Sequence, residues 1–474
     1  MEATILDAGP DDDLLIFRLP RAAGQRHIGL SLACDGRTAH QLRLAGRLMG
    51  RIAASEPARL ALLAILFILF LWQRCPSILS LPSFWGEDGW VWYPECYAHG
   101  WRCLLVDHSG YLQTISMLVA LISQPFPLQH APKLFALAAL AVQVAPSLFL
   151  VSDRMAVAIP RLSVRLLLAL LILAAPAMSE VYVNVTNAQW HLALLCFLVV
   201  TAAPPAGWTG RVFDTVVLVI GGLSGPFSVF LAPAAVLWWL VRRGRWACWR
   251  MLLLLGAAAI QASLILVHQA SRASSTGPGL GVSLRSLDTI LLNTILGPAT
   301  FGWQAMRRNG WLAGHGGWLF GPSSAALIVS TLLVACAILL AATALWRGGW
   351  LLRCFLLFMV LELVASLVDG LTIDQRPLWE ELGPAVTNRY SFHPILAWLA
   401  VLVSLTVDRA TALRALGGVL LACSLIFAIA GDWELAPLPP TDFQAKARAF
   451  EKAPPGTVMQ FQTRPMFYMT LTKN

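Results

Sequence analysis

Apolar runs of roughly 15 to 22 residues recur along most of this chain, and that recurrence limits its fold more than any motif does. They fall near 57–73, 132–152, 164–178, 190–204, 214–223, 227–241, 250–268, 325–346, 350–368, 393–407 and 413–431. A lipid core offers backbone N–H and C=O groups no partner, so segments of this length and character must be helices that satisfy themselves. Only 12% of the 474 residues are charged, about half the share of a soluble domain, too few to cover a water-facing body. The expected fold is an all-α polytopic membrane protein with about eleven transmembrane helices and long outer loops. Two runs meet at Gly221-Gly222-Leu223-Ser224-Gly225-Pro226 and are short, so they read either as two half-length helices or as one kinked helix.

Arginine sets the orientation. With the N-terminus inside, the cytoplasmic segments collect Arg18, Arg21, Arg26, Arg37, Arg43, Arg47, Arg51 and Arg59, then Arg154, Arg161 and Arg165, Arg211, Arg242 to Arg250, and Arg347, Arg353, Arg409 and Arg414. The long segments 74–131, 269–324, 369–392 and 432–474 then lie outside. The net charge of +9 is therefore topological, and nucleic acid is not an expected partner. The chain reads as a multi-pass protein of a bacterial cytoplasmic membrane, among membrane lipids, with its N-terminus inside and its C-terminus outside.

Three regions follow: a leader 1–56, a membrane body 57–431 and an outer tail 432–474. No cleavable signal peptide is evident in the leader. Its stretch 41–52 sets Leu42, Ala45, Leu48, Met49 and Ile52 against Arg43, Arg47 and Arg51, the pattern of a helix on the cytoplasmic membrane surface. In the first outer loop, 111–122 is amphipathic and expected along the outer membrane surface. The tail has a helical pattern near 441–451 and strand-like stretches at 458–461 and 466–471. It is too short to fold alone and is expected as a cap on the outer loops. None of the nine cysteines forms a C-x-x-C array, which argues against thiolate metal binding. Cys96 and Cys103 share the first outer loop, where an oxidising compartment permits a disulfide.

Chemistry concentrates in the same loop. Glu87 and Asp88 stand in Phe84-Trp85-Gly86-Glu87-Asp88-Gly89-Trp90, just after the first apolar run, with Asp107-His108-Ser109-Gly110-Tyr111 following. A carboxylate within hydrogen-bond reach of a hydroxyl can take its proton, and partial desolvation beside a second acid makes it a better base. Asp88 is the first candidate and Glu87 the second. The competing reading is a solvated loop pair, or partners for Arg74 and Arg102.

Trp85-Gly86-Glu87-Asp88-Gly89, then Gly110-Tyr111-Leu112, Asn187-Ala188-Gln189-Trp190 and Gly222-Leu223-Ser224-Gly225-Pro226-Phe227, set on many spans with long outer loops, resemble a bacterial branch of the GT-C superfamily of integral-membrane glycosyltransferases. The resemblance implies inverting transfer of a sugar from a polyprenyl-phosphate-linked donor to a glycan, lipid or protein acceptor at the outer face. It also implies that the first-loop acid acts as base or as a metal-associated group. A Trp-Trp-Asp-Tyr-Gly motif is missing, which argues against the oligosaccharyltransferase branch.

A lipid phosphate leaving group needs positive charge, and arginine's planar fork suits its oxygens. The candidates are Arg389 with Tyr390, Arg376, Arg272, and Arg307 with Arg308; His393 could share the task. Each is also readable as a solvated loop charge. Asp107, His108 and Tyr111 are further substrate-binding candidates. Glu180, Asn184, Asn187, Trp190 and His191 occupy a short outer turn, either as helix caps and an interfacial belt or as a sugar-binding wall. Glu362 lies inside an apolar run and must be paired or protonated there. No P-loop is present and no cofactor is assigned, with a divalent cation left open. No metal ligands are assigned, although outer carboxylates would suit a hard divalent cation. The alternatives are a polysaccharide polymerase or ligase, a polyprenol-linked-glycan flippase or permease with its key charges near the midplane, and a membrane scaffold.

Overall fold

The computed structural model describes residues 2–7, 13–18, 30–34, 55–80, 82–268, 290–308, 324–369, 388–435, 440–465 and 467–474. It divides into two units, residues 1–63 and 64–474. In the first, β1 (Glu2–Asp7), β2 (Asp13–Arg18) and β3 (Leu30–Cys34) form an antiparallel sheet with Glu2 opposite Arg18 and Asp13 opposite Cys34. This sheet was not foreseen, because a short apolar run such as Leu14-Leu15-Ile16-Phe17 has no period that tells strand from helix. The stretch 41–52 lies outside the described residues.

Although the run 164–178 leaves helical form after Leu173, each apolar run read from the sequence overlaps a helix. These are α1 (Glu56–Arg74), α3 (Ala131–Val151), α4 (Leu162–Leu173), α5 (Ala188–Thr201), α6 (Trp208–Gly222), α7 (Phe227–Arg242), α8 (Arg245–Val267), α9 (Ser324–Arg347), α10 (Trp350–Asp369), α11 (Phe392–Thr406) and α12 (Thr411–Cys423), with α2 (Thr114–Ser123) in the first outer loop. Among the described residues six helical segments are long and apolar enough to cross a membrane: Glu56–Arg74, Leu128–Val151, Arg245–Val267, Ile328–Arg347, Trp350–Leu367 and Thr411–Ile429. The remaining helices α4, α5, α6, α7 and α11 have 12 to 16 residues. At about 1.5 Å per residue they reach roughly 18–24 Å, short of a hydrocarbon core of about 30 Å. Burial explains how they tolerate this: every residue of α5 is buried, so its environment is protein on all sides.

The glycine-rich junction resolves into two helices. α6 ends at Gly222 and α7 starts at Phe227. Gly225 has φ +86°, and a Cβ there would sit 2.0 Å from Gln189 Oε1, so only glycine fits the turn.

Ion pairs lock one end of the bundle. Buried Asp214 on α6 accepts two bonds from Arg154, at 2.7 and 2.8 Å, and two from Arg250 on α8, at 3.0 and 2.7 Å. Trp246 Nε1 adds a fifth at 3.0 Å. Both guanidiniums also donate to the carbonyl of Ala203, so no charge is left bare. Nearby, Arg347 donates to Asp408 at 2.7 and 2.8 Å.

At the opposite end the segment 82–130 and the tail share a core. The tail folds as α13 (Phe443–Lys452) and a hairpin of β6 (Val458–Thr463) with β7 (Phe467–Thr472). Phe443, Phe461 and Leu471 pack with Phe84, Trp92 and Phe135. α2 buries Met117 and Ala120 in the same cluster. Cys96 and Cys103 are joined as a disulfide beside it.

Candidate active site

Asp88 opens a single π-helical turn, Asp88–Trp92, of the kind that interrupts helices at functional positions. Its carboxylate is buried and points into the protein. Oδ1 accepts from Thr186 N and Thr186 Oγ1, both at 2.8 Å, and Oδ2 accepts from Val185 N at 3.0 Å. Burial pushes this carboxyl up to about 7 despite those donors, with the Glu87 charge adding to the rise. Gly89 lets the turn lie against the cap, since a Cβ there would come within 2.6 Å of Phe84 and Thr463. Asp88 therefore pins the first outer loop to residues 185–186, its oxygens engaged by three donors.

Glu87, one residue earlier, is half-buried and makes no hydrogen bond among the described residues. Its charge is felt by Glu180, Arg389 and His108, which identifies its neighbours. Glu180 and Arg389 form an ion pair with contacts of 3.3 and 3.5 Å, long enough to be exchangeable. Asn388 orients the pair: its Oδ1 accepts from Glu180 N at 3.4 Å and its Nδ2 donates to Ser179 Oγ at 2.8 Å. Burial pushes Glu180 up to about 7 against the pull of Arg389. Burial also works against the charge of Arg389, but Tyr390, Glu180 and Glu87 outweigh it, so the guanidinium stays charged beyond its ordinary range. Burial holds the His108 ring below its usual value, with Glu87, Asp107 and Glu95 pulling the other way.

Glu180 owes its position to an irregular segment, residues 174–187, in which only Ser179 and Glu180 escape full burial. Irregular backbone survives inside a membrane body only where protein satisfies it. Gln143 of α3 does so, accepting from Val183 N at 2.8 Å and donating to Val181 O at 3.0 Å. Asn184 and Asn187 both donate to Glu180 O, at 2.6 and 2.9 Å. Val183 sits at φ +59°, costly for a β-branched residue and held by these bonds.

The structure thus gathers Glu87, Asp88, His108, Arg389 and Tyr390 from the sequence-derived set. Tyr390 packs edge-on against Trp190, with ring centroids 5.5 Å apart. Asn187 faces inward and serves the turn, and His191 is fully buried between Tyr182 and Phe392. Asp107 and Tyr111 belong to a two-residue ladder, β4 (Asp107–His108) with β5 (Tyr111–Leu112). That ladder is tied to α8 by Leu112 N donating to Gln261 Oε1 at 2.9 Å. His393 faces away from any phosphate role: its Nδ1 meets Glu362 Oε2 at 2.6 Å and its Nε2 meets Trp190 O at 2.9 Å. Glu362 thereby has the partner its burial demanded. Arg74 does not pair with the acidic turn but donates to the carbonyls of Leu173, Ala175, Asp432 and Trp433. Arg272 and Arg376 lie outside the described residues, as does the side chain of Arg307.

Sequence reading had set Glu180 only among turn residues. Its one signal was a lone acid in an otherwise apolar stretch. Among the described residues no group of three or more His, Cys, Asp or Glu side chains is placed to hold a metal ion. No family model, curated protein or solved structure matches this chain.

Proposed function

We propose that the chain is a membrane glycosyltransferase of GT-C-like architecture that moves a sugar from a polyprenyl-phosphate-linked donor to a glycan, lipid or protein acceptor at the outer face of a bacterial cytoplasmic membrane. The proposal includes about eleven membrane-crossing helices, a cytoplasmic N-terminus and an outer C-terminal cap. One observation carries it: a carboxylate with uncommitted oxygens, Glu87, shares a half-buried patch with Arg389, whose ion pair to Glu180 is loose. A base and an exchangeable phosphate-binding cation are the two groups that the reaction requires.

In this reading Glu87 takes the proton of the acceptor hydroxyl as its oxygen attacks the anomeric carbon. The bond from that carbon to the donor phosphate oxygen breaks, and the electron pair leaves with the lipid phosphate. Arg389 meets the growing negative charge in place of Glu180. Asp88, named first from sequence alone, becomes the residue that aims Glu87, because its own lone pairs are spent on Val185 and Thr186. Arg389→Lys keeps the charge but loses the fork, so transfer by purified protein should fall less than in Arg389→Ala. Wild-type transfer in Arg389→Ala would remove Arg389 from the account.

The buried Glu362–His393 contact favours a second reading, a lipid-glycan flippase or permease. Flux of a lipid-linked glycan across proteoliposomes without any glycosidic bond formed would support it instead.

A further inference from the structure

A cavity of about 430 Å³ lies between α4, α5, α10 and α11, at the end of the bundle away from Glu87. Its walls are hydrocarbon, including Leu168, Leu171, Phe197, Leu352, Phe355 and Leu399; Arg161 and Ser404 are the polar side chains that line it. Leu168 and Leu352 are only half-buried and Val407, at the rim, is 45% exposed, so the space is an open cleft rather than a sealed void. It follows α4 from Arg161 to Ile172, about 17 Å at the helical rise. That is close to half of a hydrocarbon core of about 30 Å, the depth of one leaflet. Water gains nothing in an apolar cleft of this kind, whereas a lipid tail fills it.

The rim supplies the selectivity. Arg154 and Arg250 are committed to Asp214, and Arg347 to Asp408. Arg161 is exposed at the mouth and its guanidinium makes no ion pair or hydrogen bond among the described residues. Since the carboxylate of Asp408 is already neutralised by Arg347, the mouth is net positive and disfavours an ammonium headgroup. We propose that this cleft binds one acyl tail of an anionic phospholipid from the leaflet facing the basic loops, with Arg161 on the headgroup phosphate. The site is independent of the glycosyl-transfer reading.

The test is native mass spectrometry of the purified full-length chain in detergent with equimolar phosphatidylglycerol and phosphatidylethanolamine. The wild type should retain phosphatidylglycerol at least about fivefold over phosphatidylethanolamine, the size of one arginine's attraction to net negative headgroup charge near a membrane surface, since both lipids carry the phosphate and only the second adds an ammonium. Arg161→Glu should abolish the preference and Arg161→Lys should keep most of it. Leu168→Trp, which fills the cleft, should cut retention of both lipids while the protein stays monodisperse. Equal retention of the two lipids by the wild type, or a preference that survives Arg161→Glu, would overturn the headgroup assignment. Unchanged retention in Leu168→Trp would move the lipid out of the cleft. Added polyprenyl phosphate that displaces phosphatidylglycerol from the wild type would also overturn the proposal, making the cleft a site for the isoprenoid.

Discussion

Glu87 and Asp88 are neighbours with different surroundings, and the difference assigns their work. Asp88→Asn would turn an amide N–H₂ toward Val185 N–H or Thr186, leaving buried donors unpaired, a loss of about 1–3 kcal/mol. The expected outcome is a lower thermal midpoint, with transfer reduced through displacement of the loop. Glu87→Gln should leave the midpoint unchanged. Glu180 makes a separate prediction through pH. Its carboxyl is raised to about 7, so as pH falls through that value it protonates and stops competing for Arg389. A donor phosphodiester keeps its single charge throughout this range. Donor affinity should therefore tighten as pH falls from about 8 to about 6. Glu180→Gln should remove the dependence and hold affinity at its tight limit, measured by equilibrium binding of a labelled lipid-linked sugar. A dependence that persists in Glu180→Gln would assign the titration to another group, with Asp88, also raised to about 7 by burial, the first alternative. Asp88 and Glu87 were legible as an acidic pair in a conspicuous loop. Which of them had free lone pairs was not, because the donors that occupy Asp88 come from residues almost a hundred positions along the chain.

Elements were legible to the extent that lipid dictates them. Each apolar run became a helix over most of its length because no other backbone satisfies itself in hydrocarbon. The buried segment 174–187 was read as the end of the run 164–178 followed by a short turn. Its hydrogen bonds are supplied by Gln143, about forty residues away, and a single sequence carries no sign of that. The Asp214 lock was hidden likewise: Arg154 and Arg250 were read as topological charges, and their common partner sits inside an apolar run. Asp214→Ala should leave two largely buried guanidiniums uncompensated and cost about 3–5 kcal/mol. In thermal unfolding in detergent this variant should be among the least stable, while transfer per folded molecule stays near wild type, because the lock is at the end opposite Glu87. Unchanged stability would mean that water or lipid phosphate can replace the carboxylate.

At the scale of the whole molecule, the two ends of the bundle carry different chemistry: locked arginines at one, and acids, an exchangeable arginine and the core shared by loop and tail at the other. Cysteines placed at Arg245 and at Thr457 should label from opposite sides of sealed vesicles, Thr457 from outside. Labelling of both from one side would break the topology and with it the location of the site. The central claim is that the patch around Glu87 transfers a sugar from a lipid phosphate. Its most direct measurement is single-turnover transfer by purified protein in nanodiscs, using polyprenyl-phosphate-linked sugars and comparing wild type with Glu87→Gln. The account predicts release of free polyprenyl phosphate and a new glycosidic bond in the wild type. In the variant it predicts a rate lower by about 10²–10⁴, with donor binding retained. Equal rates in the two proteins would contradict it.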